Sequence, residues 1–426
     1  MDRKAIDAIC TEVDYLYDEM VSVLQELVRI PSVTGEEGPA QAFMKTQYEA
    51  LGLEVHSLEA DRSKVADHIT YCDSGHPFKD RPNIIGIKKG NPRKQSIILN
   101  GHVDVVTAEP LGQWKHDPWG AEIEGGQLYG RGALDMKAGL ISNLFALKAL
   151  LKADLEPMGS VMLQSVIEEE HGGGGGALAC FLEGYTADGM IVSEPAPWVT
   201  VSLAGIIRCT IKVQGKSAHP SQSHLGVSAI GKILPLYKAL EQLDLRRKAD
   251  VHFPLFEQNG APSCHLIVGT LQGGEWIASV AGAAEMGCRI GFIPGEKTDD
   301  IRKMIETLVA DIAHQDEWLR NHPPLIEWHP FQAEPHYQDP AHPFVRTVMS
   351  ALSHVQNPVT PVKPRGATWT EDTRLAQHFG VPALSLGPRG ERPHGIDECV
   401  DLESIKSTAK AVALAAYQWC IGDKPQ

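Results

Sequence analysis

The chain has no apolar run long enough to cross a bilayer, no stripe of Lys and Arg, and no CxxC pair among its eight cysteines. Each absence removes a class of function. A membrane-spanning helix needs about twenty consecutive apolar residues. Lys and Arg number 39 against 54 Asp and Glu, a net charge of −15, which argues against nucleic acid and anionic membranes as partners. Scattered cysteines without disulfide or zinc-ribbon spacing read as reduced thiols. The opening Met1-Asp2-Arg3-Lys4-Ala5-Ile6-Asp7 lacks the apolar core of a secretory leader, so a cytoplasmic location is expected. Internal repeats and low-complexity tracts are missing too, apart from one glycine run. At 426 residues the chain is ample for two cores.

That glycine run, Gly172 to Gly176, follows Glu168-Glu169-Glu170-His171 at the end of the apolar segment Val161–Ile167. Three consecutive carboxylates repel one another. Either they form a solvated acidic turn, or a multivalent cation neutralises them while one is kept for proton chemistry. Taken alone, the two readings are level.

Other segments tip the balance. Ser96–Asn100 reads as a buried strand running into Gly101-His102-Val103-Asp104, where His and Asp two apart project to one face. The histidine could ligate a metal with the carboxylate fixing its tautomer, or the two could be a simple hydrogen-bonded pair. Asp135 stands between the glycine-rich turn Gly130-Arg131-Gly132 and a helix-like segment reaching Leu151, a position also suited to an N-cap. Met190-Ile191-Val192 is a short buried strand ending at Glu194-Pro195, and Pro382–Leu386 leads to a loop with His394-Gly395-Ile396-Asp397-Glu398. Ligands in open α/β sheets gather at the carboxyl ends of strands. Two histidines and at least three carboxylates at such ends suit a pair of zinc-like ions bridged by one shared aspartate.

These motifs carry a family resemblance: GHVDVV, then DPW with YGRGALDMKAG, EEEHGG, SEP and the late HGIDE. In combination they resemble the co-catalytic zinc peptidases and deacylases, the family of acetylornithine deacetylase, succinyl-diaminopimelate desuccinylase, aminoacylase and glutamate carboxypeptidase. The resemblance runs from about residue 20 to about residue 415. It implies metal ligation by His102, Asp135, Glu170, Glu194 and His394, with Asp135 bridging. It implies Asp104 as the carboxylate orienting His102, Glu169 as the general base, and a cis Asp135–Met136 peptide. Two divalent ions per subunit follow, zinc being the expected one; cobalt and manganese suit the same ligands.

Further matches are looser. Gln214–Pro220 with Gly226–Ile230 resembles the family's lid segment, which implies that His219 reaches the partner subunit's site and that the protein is a homodimer. Arg289 resembles the arginine that grips a substrate carboxylate, and Thr370 and Arg374 a substrate-contacting loop. Two departures stand out. Glu168 replaces the usual aspartate, and after Gly273-Gly274 the family's Asn-Val-Val-Pro is replaced by Glu275-Trp276-Ile277-Ala278. That wording resembles a branch with acetylornithine-deacetylase-like proteins and formylaminopyrimidine deformylases. The expectation is therefore an amidohydrolase that removes a small acyl group, such as formyl or acetyl, from an amine or amino acid. A metallo-exopeptidase or N-acyl-amino-acid hydrolase is the alternative. A non-catalytic metal-binding relative should have lost the base or a ligand, and all are present.

The expected fold is α/β: a mainly parallel three-layer αβα catalytic domain in two parts, residues 1–203 and 334–426. A ferredoxin-like lid, residues 204–333, is inserted between them, since its pattern reads βαββαβ. Helical spacing is read from Tyr15 to Leu27 and from Thr298 to Leu319, with a helix starting near Ala177. The glycine run is expected to bring backbone N–H groups to the site.

Overall fold

A computed structural model describes residues 3–155, 158–356 and 361–424. The chain divides into two compact units. One comprises Met1–Val201, Tyr337–Arg365 and Glu371–Gln426; the other comprises Ser202–His336 and Gly366–Thr370.

The first unit is built on a mixed sheet. Its centre is four neighbouring parallel strands in the order Val161–Val166, Ile97–His102, Met190–Val192 and Ala383–Ser385. These runs are mostly apolar and buried but for the part-exposed Met162, as expected for strands covered on both faces. Only the margins run antiparallel: Asn83–Lys88 beside Val161–Val166, Glu54–Leu58 beyond it, and Ser385 against Thr200 at the other side. All four central strands therefore point their carboxyl ends to one edge.

Side-chain alternation sends Ile98, Met190 and Val192 into a core with helix Ala177–Leu182. Helix Ala138–Lys152 packs over Ile97–His102 and Val161–Val166, and is buried on nearly every side because Leu402–Cys420 covers it in turn. Its first turn lies so close to the sheet that a Cβ on Gly139 would sit 2.0 Å from the Ser193 carbonyl oxygen. That contact brings the Asp135 turn next to Glu194.

Several boundaries differ from expectation. The N-terminal helix begins at Arg3 and breaks at Leu16, giving Arg3–Tyr15 and Tyr17–Val28. The stretch from Thr298 to Leu319 is likewise two helices, Thr298–Gln315 and Glu317–Asn321, because Asp316 leaves the helix and caps the second by accepting from Leu319 N–H.

The second unit is a four-stranded antiparallel sheet in the order Leu266–Gly273, Ala283–Phe292, Gly205–Gln214, Leu325–Ala333. With helices Ala229–Asp250 and Thr298–Gln315 on one face this is the ferredoxin-like arrangement. Alternate residues Ile207, Cys209, Ile211 and Val213 pack with Ile233, Leu236, Ile301 and Ile305. Leu266–Gly273 is an edge strand, and it leaves Ile267 and Leu271 half exposed. No helix among the described residues is long and apolar enough to cross a membrane.

Candidate metal centre

The parallel strand ends deliver the ligand candidates to one place. His102 is the last residue of its strand, Glu194 stands two residues past Val192, and Glu169 and Glu170 form a tight turn after Val161–Val166. Asp135 lies in the irregular turn before helix Ala138–Lys152, next to a cis peptide to Met136. The helix N-cap is Lys137, so Asp135 is not the cap.

Asp135 lies between two imidazoles. Its Oδ1 is 3.2 Å from His102 Nε2 and its Oδ2 is 3.2 Å from His394 Nε2. Glu194 Oε1 is 3.5 Å from His102 Nε2, and Glu170 Oε1 is 3.0 Å from His394 Nε2. Donors about 2.0–2.1 Å from one tetrahedral ion stand roughly 3.3 Å from each other, so both sets have the spacing of shared ligands. Glu170 Oε1 is buried yet has no hydrogen-bond partner despite its closeness to His394. Among the described residues two groups bring donor atoms close enough to hold a cation, His102 with Asp135 and Glu170 and His102 with Glu169 and Glu194, and His394 stands beside Asp135 and Glu170.

The electrostatics agree. Burial pushes the Glu169 carboxyl well above its usual range, reinforced by Asp372, Glu170 and Asp104 against the pull of His102. Glu194 is raised by burial and then by Asp135. For His102 burial works against protonation but loses to Glu194, Asp104 and Asp135, which raise its pKa. Asp135 and Glu170 hold His394 at about 10. A cluster so short of positive charge is stabilised by a bound cation.

Asp104 differs in detail from the expected role. His102 Nδ1 is 2.8 Å from the Asp104 backbone carbonyl and 3.5 Å from its carboxylate. The carboxylate instead accepts from the backbone N–H of Glu169 at 3.1 Å and of Glu170 at 3.3 Å, and from Thr34 Oγ1 at 2.9 Å. It therefore shapes the turn that carries Glu169 and Glu170 as well as facing the histidine.

The glycine run also works differently. Gly172 and Gly173 donate to the carbonyls of Glu169 and Glu168, Gly176 to that of Gly173, and Gly175 to the Glu168 carboxylate. These N–H groups are consumed inside the loop rather than offered to the site. Gly173 has φ +69°, and a Cβ there would meet Asp372 Oδ1 at 2.4 Å, so glycine is required for the loop to fold against its neighbours.

Arg374 is buried, and its Nη2 donates to the Gly172 carbonyl at 2.6 Å. It braces the acidic turn through that bond. His219, Arg289 and Thr370 belong to the second unit. His219 is exposed, its Nδ1 2.8 Å from Ser221 Oγ. Arg289 is partly buried and donates to the Thr368 carbonyl at 3.0 Å, and the Thr370 hydroxyl oxygen is buried without a hydrogen-bond partner. The departing segment after Gly274 forms the loop between Leu266–Gly273 and Ala283–Phe292, with Trp276 68% and Ile277 98% exposed.

Sequence reasoning missed the supporting carboxylates and guanidiniums. Arg81 joins Glu37 and Glu168 at 2.8 and 2.7 Å, all three buried, and Glu398 gathers the Asp135 turn. Glu398 ends a motif already quoted, but nothing in its spacing reveals what it faces.

A sequence model described as peptidase family M20/M25/M40 matches residues 98–418. A protein of Halalkalibacterium halodurans named N-formyl-4-amino-5-aminomethyl-2-methylpyrimidine deformylase is 27% identical over 97% of both chains. A succinyl-diaminopimelate desuccinylase of Thioalkalivibrio sulfidiphilus is 25% identical over 92% of this chain and 96% of its own. Among solved structures, human carnosine dipeptidase 1 superposes with a TM-score of 0.75 over 98% of this chain and 99% of its own at 16% identity, a likeness of fold.

Proposed function

The chain belongs to peptidase family M20/M25/M40 and is a metal-dependent hydrolase of carbon–nitrogen bonds; from that premise we propose that it removes a small acyl group, formyl first, from a small amine. The observation that carries the chemistry is Asp135, one carboxylate oxygen toward each of two histidines, with Glu169 Oε2 3.9 Å from His102 Nε2. The choice of acyl group is supported by the deformylase relative, which matches over 97% of both chains.

Two cations bound by His102, Glu194, Asp135, Glu170 and His394 would polarise the amide carbonyl and acidify a water toward neutrality. Glu169 is placed to take a proton from that water as its oxygen attacks the carbonyl carbon. It then returns the proton to nitrogen as the C–N bond breaks, leaving a carboxylate and an amine. Asp104 keeps the base in place through the Glu169 N–H. Zinc is the proposed ion, cobalt and manganese being compatible with the same donors.

The second unit is assigned the lid. Its exposed edge strand Leu266–Gly273, with Ile267 and Leu271, supports pairing with a second copy. In such a homodimer His219 is the proposed oxyanion donor to the neighbouring site. Arg289 and Thr370 are proposed to hold substrate. The eight free cysteines support a reducing, cytoplasmic setting.

The test is hydrolysis by Zn2+- or Co2+-loaded protein of matched N-formyl, N-acetyl and N-succinyl amines, N-acyl amino acids and dipeptides. The proposal requires the highest kcat/KM on an N-formyl or N-acetyl amine. Preference for dipeptides or N-acyl amino acids would move the assignment to the exopeptidase or acylamino-acid branch, where Arg289 would meet the substrate carboxylate.

A further inference from the structure

Glu398 is fully buried, and its carboxylate is saturated by one short stretch of chain. Oε1 accepts the backbone N–H of Leu134 at 3.0 Å and of Asp135 at 2.9 Å. Oε2 accepts Gly132 N–H at 3.1 Å and Arg131 Nη1 at 2.6 Å. The Glu398 carbonyl accepts Gly130 N–H as well, at 3.0 Å. The turn that carries the proposed bridging aspartate is thus wrapped around one side chain from the loop that carries His394.

Arg131 completes the connection. Its Nη2 donates to the His394 carbonyl at 3.2 Å, and its guanidinium lies over the Trp114 ring at 5.2 Å. His394 has φ +59°, a conformation that an L-residue other than glycine keeps only where its surroundings hold it. The other histidine needs no such device, since His102 ends a central strand.

From this arrangement we infer that Glu398, acting with Arg131, is a positioning residue that sets the separation of the two metal sites by tying the Asp135 turn to the His394 loop. The inference rests on the two-ion reading above. Glu398 reaches neither ion in this role; it orients groups that do, as partners behind metal ligands commonly do. The site faced by His394 and Glu170 depends on the tie, whereas the site faced by His102 and Glu194 is supported by the sheet.

Titration of metal-free protein with Co2+, followed by visible absorption and calorimetry, separates this role from a purely structural one. The wild type should take up two equivalents. In Glu398→Gln an NH2 group replaces one carboxylate oxygen and confronts two of the four donors. The folded variant should keep one tight equivalent and bind the second about 10–100-fold more weakly. Arg131→Lys leaves a positive charge beside Glu398 but removes the forked reach to the His394 carbonyl. It should show the same selective loss to a smaller extent, and it serves if Glu398→Gln does not fold. Glu398→Asp, which keeps both oxygens, should recover part of the second-site affinity. Two wild-type-tight equivalents in either loosened variant, whatever its Tm, would overturn the inference and leave the metal centre standing. Failure of the wild type to bind two ions would overturn both.

Discussion

The backbone N–H of Glu169 donates to Asp104 Oδ1 at 3.1 Å, linking the proposed base to a residue 65 positions earlier in the chain. Asp104 also receives Glu170 N–H, so one carboxylate fixes the proposed base and an adjacent proposed ligand together. Asp104→Ala should therefore weaken both. A 10–100-fold fall in kcat is expected, with a smaller fall in metal affinity, measured by steady-state kinetics at saturating Zn2+ and by metal titration.

Glu169→Gln and Asp135→Ala should fail in different ways. The first removes only the proton carrier. It should retain two ions per chain by elemental analysis while kcat falls by about 10²–10⁴-fold. The second removes the group facing both histidines and should lose metal and activity together. Equal metal loss in the two variants would mean that the roles of Glu169 and Glu170 have been exchanged.

Metal-free protein should become less stable as pH rises. The folded-state pKa of His394 is raised to about 10 by Asp135 and Glu170, above the ordinary 6.5. Its contribution is complete below about pH 6.5 and is lost as pH climbs toward 10. Tm of the metal-free form should fall across that window, and His394→Ala should flatten the fall. Metal uptake should show the opposite preference, tightening with pH and releasing protons, because cation and proton compete for the same nitrogens.

Mixing His219→Ala with Glu169→Gln chains tests the proposed assembly. Each homodimer should be nearly inactive, the first by on the order of 10²-fold through loss of an oxyanion donor. Hybrid dimers should regain activity, since one of their sites then has both residues intact. Hybrids shown to be present yet inactive would place His219 outside the neighbouring site.

The candidate site residues were legible because several sit beside a punctuation mark in the sequence. His102 follows an apolar strand, Glu169 and Glu170 precede glycines, and Glu194 precedes a proline. The βαββαβ pattern was legible for the same reason, alternation giving way to helical period and back. What stayed hidden depends on chain segments meeting at long range. Arg81 gives no local sign that it will lie between Glu37 and Glu168, and Arg374 none that it will reach the Gly172 carbonyl. The helix break at Asp316 was hidden because apolar spacing continues through it, and only the cap bond to Leu319 shows the interruption.

The strand order has a consequence for how the protein is made. His102, Asp135, Glu169, Glu170 and Glu194 all leave the ribosome before the second unit, but His394 and Glu398 follow it. A nascent chain can offer the ligands of one site while the other still lacks its histidine and its tie. The set of proposed ligands is completed only when the last central strand in the chain, Ala383–Ser385, is in place beside Met190–Val192.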